Sequence, residues 1–486
     1  MKLARCALLL AAGFLGACAA APSGSSPAAP AEAPATARTG QLLFLNRVTW
    51  GADSASEREL AALGRERWLE RQLDPNAPDA LPPEAQREAA AMTVSDFLEK
   101  RKALQAGKDP GDRKAFQQEV QRVARGAMAR SLLRALYSPQ QLRSQMTWFW
   151  MNHFNVFVGK GPLRVMVGDY EESVIRPHAL GRFRELLGAV ARSPAMLVYL
   201  DNARNRFGAI NENYARELME LHTLGVDAGY TQQDVQELAR VLTGYGIDRD
   251  GRYAFHPRLH DRGDKLLLGR TLRGGGEEEL DAALDLLARA PQTARFVSRK
   301  LALFFVSDDP PPALVARMAR RFQETDGDIA QVLRFLFSTE EFQESLGTKF
   351  KDPIHYVVSA VRLAYDGKVI VNPAPMLAWL ARMGEPLYGR QTPDGYSLVK
   401  REWASAGQLE TRFEIARNLG FGAPGLWKAE GADAMARPGF PQLSNALYYE
   451  SMQSALGRAT KASLEQAGSP QEWNQLLLSS PEFMNR

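Results

Sequence analysis

The chain has 486 residues, 45% hydrophobic and 24% charged, with 60 Lys and Arg against 56 Asp and Glu. That is an ordinary globular mixture, which excludes a disordered, collagen-like or disulfide-stapled protein. A net charge of +4 is too small to create a global field, so the overall charge argues for neither a nucleic-acid nor an anionic-lipid partner.

Met1 to Cys18 reads MKLARCALLLAAGFLGAC. Lys2 and Arg5 form a basic start, and Ala7 to Leu15 is apolar but too short to span a bilayer. Leu15-Gly16-Ala17-Cys18 resembles the bacterial lipobox, where cleavage leaves Cys18 as a lipidated first residue. Residues 1–17 are therefore expected to be a lipoprotein signal peptide. Residues 18–39, nearly all Ala, Pro, Ser, Gly and Thr after the cysteine, are expected to be a flexible tether. The expected partner is a membrane, reached through the lipid on Cys18. The expected place is the bacterial cell envelope, at the outer membrane facing the periplasm or the surface, because Ala19 gives no inner-membrane retention signal of the aspartate type. Cys6 and Cys18 are the only cysteines, so the mature chain offers no thiol for a disulfide, thiolate catalysis or a cysteine-rich metal site.

From Gly40 the periodicity predicts a mainly α, multi-helical body over 40–486. Phe116, Val120, Val123, Ala127 and Leu136 recur at three- and four-residue spacing, widened by Leu132 and Leu133. Ser138-Pro139 should stop that helix and start the next through a capping box to Gln141. The next helix carries Trp148, Phe149 and Trp150. A later one opens at Thr231, buries Val235, Leu238, Ala239 and Leu242, and ends near Gly244. Arg252 to Leu272 is the exception. Its aromatic and aliphatic runs flank Asp261-Arg262-Gly263-Asp264 and predict a small β-hairpin excursion near 252–272. A helix at Glu277 to Ala290 follows. Ser338 to Phe342 and Ser479 to Phe483 echo each other as helix ends followed by capping-box starts, which admits two subdomains with a break near 345–352. Gly384 to Trp403, rich in Gly, Pro and Tyr, is expected to be an ordered loop.

Several stretches carry a family likeness: Leu43 to Gly51 (LFLNRVTWG), Trp148 to Phe154 (WFWMNHF), Tyr170 to Leu187, Ser193 to Asn202 (SPAMLVYLDN), Asn211 to Gly225 (NENYARELMELHTLG) and Tyr230 to Gly244. His260-Asp261, Thr392 to Tyr396 (TPDGY) and Leu478 to Phe483 continue it. In this order, over nearly everything after the tether, the chain resembles the bacterial family catalogued as domain of unknown function number 1800. The resemblance implies a large exported protein of unassigned activity, and it carries over no catalytic residue.

The richest polar cluster is Asn211 to His222. On a helix, Asn213, Glu217 and Glu220 fall within roughly 60° of one another, together with Leu221 and Leu224. The two carboxylates could ligate a divalent metal or form an acid–base pair. The favoured reading is that they are buried partners of Arg176, Arg216 or Arg240 that fix how helices cross, because ion-pair networks perturb carboxylates as often as catalysis does. His222 lies about 140° around the helix from Glu217 and is expected to be a hydrogen-bonded interior histidine. His153, inside the aromatic helix, suits a ligand, a base or a satisfied core group. His260-Asp261, beside the expected hairpin turn, suits exposed function. His178 reads as a cap or packing residue. HExxH, GxSxG and P-loop patterns are absent, and the lack of CxxCH excludes covalent c-type haem.

Two functions stand open. One is a hydrolase acting on an envelope or extracellular polymer, its centre drawn from His153, Glu217, Glu220, His260 and Asp261. The other is a non-catalytic binding or assembly protein with an unidentified protein or glycan partner.

Overall fold

Local sequence sets many of the helix ends. Asp53 accepts the Ser56 amide at 2.8 Å and opens the Ser54–Leu63 helix. Thr231 and Asp234 satisfy each other's amides in a capping box that opens Gln232–Val241. Pro291, Pro312, Pro353 and Pro470 sit in first turns, where a missing amide costs nothing. The computed structural model describes residues 35–88, 110–429 and 440–486; Cys18 and the expected signal peptide lie outside them. The described residues are mainly α, with two small antiparallel ribbons.

The Pro353–Tyr365 helix occupies the centre, with all 13 residues buried. A helix covered on every side needs partners for its polar groups. Arg362 reaches Asp53 at 2.7 Å and the Gly51 carbonyl at 2.9 Å, and His355 donates to Asp352 at 2.6 Å. Gly51 presses against the same helix: at its φ of 130°, an added Cβ would lie 2.6 Å from the Ser359 Cβ. Around this axis, the Pro110–Tyr137 helix buries Val123, Ala127, Leu132, Leu133 and Leu136. Lys349 and Lys351, within the segment 345–352, hydrogen-bond through their amides to the carbonyls of Arg486 and Met484.

Four local expectations change. The first helix, Ala35–Val48, opens inside the stretch read as tether, where Arg38 pairs with Glu450 at 2.7 Å. The box at Ser138 does not form. The Ser138 hydroxyl binds Asp79 and accepts the Gln140 amide, so the next helix, Gln141–His153, starts two residues after Pro139. The β excursion begins earlier and is double. Strand β1 (Tyr245–Ile247) pairs with β2 (Tyr253–Phe255), and β3 (Lys265–Leu267) with β4 (Arg270–Leu272). Its second tight turn is at Leu268-Gly269, both at positive φ, rather than at Asp261 to Asp264. Finally, Thr339 caps a short helix at Glu340–Glu344, whereas Ser480 holds only a turn.

Candidate functional site

The aromatic Gln141–His153 helix forms the floor. His153, its last residue, is 2% exposed and donates from Nε2 to the His222 carbonyl at 3.0 Å. That bond fixes the tautomer and leaves Nδ1 without a partner among the described residues. Burial, reinforced by Lys300 and His222, holds this imidazole well below the usual histidine range. His222 is interior as expected, but it is not hydrogen-bonded through its ring, since neither nitrogen has a partner among the described residues. Burial and then Lys300 bring it down to about 3. The Asn213–Glu220 helix ends early, and amides of residues 222 and 224 fold back onto the carbonyls of Glu217 and Met219. His222 therefore contributes its backbone to His153 and its ring only to packing.

On that short helix Tyr214, Ala215, Leu218 and Met219 face the core, while Glu217 and Glu220 occupy its half-buried edge. Arg216 serves Glu212 at 3.0 Å and Glu220 at 3.6 Å. The other two arginines considered are engaged elsewhere, Arg176 with Asp79 and Arg240 with Asp261 and Glu237. The Glu217 carboxyl makes no hydrogen bond or ion pair with any described residue. Burial, then Glu220 and more weakly Asp394, raise it from its ordinary value against the pull of Arg216.

Asp394 belongs to the Gly384–Trp403 stretch expected to be an ordered loop, although its sequence did not mark it as part of a site. Asn155 donates to the carbonyls of Arg390 at 3.0 Å and Thr392 at 2.9 Å. Asn152 holds the Tyr396 backbone at both ends, donating at 2.9 Å and accepting at 2.6 Å. The Tyr199 hydroxyl adds a bond to the Gln391 carbonyl at 2.9 Å, and burial pushes that phenol up to about 12. Gly395 closes the approach: its φ is 76°, and a Cβ would lie 2.1 Å from the Asn152 carbonyl oxygen. Desolvation pushes Asp394 up, but hydrogen bonds from Arg390 and Thr392 outweigh it and keep the carboxylate low. Half-buried Lys300, brought down to about 8 by desolvation, also feels Asp394. Beneath the loop Asn152 and Asn155 line a cavity of about 30 Å³ with Glu171, Glu385 and Tyr388.

The remaining two candidates lie in a separate lock. His260 bonds the Thr243 carbonyl at 2.8 Å and Glu279 at 3.2 Å, and Asp261 receives Arg240 at 2.7 Å. Both are buried and tie the β3–β4 ribbon to the Gln232–Val241 and Glu278–Arg289 helices. None of their contacts is shared with His153, Glu217 or Glu220. Among the described residues no group of three His, Cys, Asp or Glu is placed to hold a metal ion. His178 bonds the Val174 carbonyl at 2.8 Å and serves packing.

The family model described as protein of unknown function (DUF1800) matches residues 43–485, and the chain belongs to that family over nearly its whole length. No curated protein and no solved structure matches it.

Proposed function

We propose that the protein is an envelope lipoprotein, held by lipid on Cys18, whose body hydrolyses an envelope or extracellular polymer. The basic start, short apolar run and small residues before Cys18 support the anchoring. One observation carries the chemistry. Glu217 is half-buried, without a hydrogen bond or ion pair among the described residues and displaced upward, while Asp394 is tied to Arg390 and Thr392 and displaced downward. Two carboxyls displaced in opposite directions suit the acid and base roles that acid–base cleavage of a polymer linkage requires. The packing roles of Glu220, His260 and Asp261 support the alternative of a binding or assembly protein.

Glu217→Gln and Asp394→Asn separate the two. Release of soluble fragments from peptidoglycan sacculi or extracellular polysaccharide should fall roughly 100-fold in each. Glu217 holds its proton more tightly folded than unfolded, so the ionised carboxyl costs stability as pH rises through its folded value. The neutral Gln variant should therefore melt at or above the parent at pH 8. A variant that melts lower, or one that keeps full activity, overturns the catalytic assignment. No release from either polymer favours the binding reading.

A further inference from the structure

Three exposed apolar side chains come together at one tip: Phe207 (66% exposed), Ile210 (41%) and Leu259 (42%). The Phe207 amide donates to the Leu259 carbonyl at 2.8 Å, and Ala209 bonds back to Arg206 at 2.9 Å around Gly208, whose φ is 77°. The base is fixed by buried amides. Asn202 donates to the carbonyls of Leu242 at 3.0 Å and Tyr245 at 2.9 Å, and Asn205 to that of Ala239 at 2.8 Å. Every residue from Arg206 to Ile210 is nevertheless exposed. The fold thus spends buried hydrogen bonds on holding apolar side chains out in water, where they cost free energy.

The charges around this tip are equally one-sided. Arg204, Arg206 and Arg258 are exposed, and their side chains make no ion pair or hydrogen bond with any described residue. The neighbouring acids are already taken, Asp201 by Lys160 at 2.8 Å and Glu212 by Arg216 at 3.0 Å. Apolar side chains that protrude between unpaired guanidiniums match the boundary of an anionic bilayer. The apolar groups enter among the acyl chains, and the arginines meet phosphates. A second copy of the chain would set like charges against each other.

We infer that this tip docks the body on an anionic phospholipid surface, separately from any lipid on Cys18. The contact has a consequence for the candidate site. Asn211 reaches the Asp201 carbonyl at 3.4 Å and Asn213 that of Leu200 at 3.1 Å, so the tip adjoins both Tyr199 and the helix bearing Glu217.

The test uses the chain from residue 18 onward with Cys18→Ser, which carries neither the expected signal peptide nor a lipid. It is sedimented with vesicles of phosphatidylglycerol and phosphatidylcholine, and with vesicles of phosphatidylcholine alone. Binding is expected only to the anionic vesicles and should weaken with salt. Substituting Arg204, Arg206 and Arg258 by Gln should weaken it roughly fivefold per arginine. Phe207→Ser with Ile210→Ser and Leu259→Ser should lower it at least tenfold without changing the melting temperature. Equal binding to both vesicles, no binding, or apolar-substituted protein that binds like its parent overturns the inference. So does arginine-dependent binding of polyglutamate without vesicle binding, which would indicate an acidic protein partner.

Discussion

An imidazole sealed in an apolar interior with both nitrogens unpaired has lost its solvation and gained no hydrogen bond. Among the described residues His222 is such a group, and it is held neutral by burial and Lys300. His222→Leu should therefore cost less than about 1 kcal/mol at pH 7, since an apolar replacement leaves no new polar group unpaired. The acid side should change more. His222 titrates near 6.5 when unfolded and about 3 when folded, so the unfolded state takes up the proton first. Stability then falls as pH drops from about 6.5 toward 3, by up to about 1.4 kcal/mol per pH unit for each such histidine. His355, brought down to about 4, adds to the same slope. Urea midpoints of parent and variant should agree at pH 7 and diverge in the variant's favour at pH 4.5. A variant several kcal/mol weaker at pH 7 would mean that the ring holds a bond. The interior place of His222 follows from its apolar neighbours in sequence. Its unused nitrogens do not, because they depend on where the chain bends after Glu220.

The 390–396 loop behaves as one element because three side chains hold its backbone. Gly395→Ala forces a Cβ toward the Asn152 carbonyl and a non-glycine residue into a left-handed conformation. It should cost about 2–4 kcal/mol in urea unfolding and displace Asp394, with any hydrolytic activity lost together with the stability. Activity that survives at full level would remove Asp394 from the centre. This loop also shows what the sequence could reveal. The helices at 116–136, 231–244 and 277–290 were legible, because amphipathic spacing repeats within each. The β excursion was legible as a region, but its turns were not: the Asp261 carboxylate caps Gly263 at 2.9 Å and the second reversal moves to Leu268. The candidate site was legible only in part. Glu217 was visible as a carboxylate near leucines, whereas the loop carrying Asp394 is placed by bonds such as Asn152 to Tyr396, 244 residues apart. Contacts that distant leave no periodic trace.

At the scale of the molecule, the two ends of the described body meet in one buried cluster. Arg47, fully buried, donates to the carbonyls of Phe305, Ser345 and Arg486, each at 2.5 Å. Arg486 in turn reaches His355 at 2.7 Å, the Phe304 carbonyl at 2.9 Å and Gln145 at 3.2 Å. Burial lowers both guanidiniums, Arg486 to about 10. The first helix, the central helix, the Pro291–Phe305 helix and the C-terminal segment thus share one set of hydrogen bonds. Units joined in this way should unfold together, so tryptophan fluorescence and far-ultraviolet circular dichroism should give coincident urea transitions. Arg486→Met leaves the Phe304 carbonyl, Gln145 and His355 without their donor, although it also removes a like charge from beside Arg47. It should lower stability by about 1–3 kcal/mol while the transition stays single. Two separated transitions in the variant would show that the cluster joins halves able to unfold alone, with the boundary falling near 345–352, where Lys349 and Lys351 pair with the last residues of the chain.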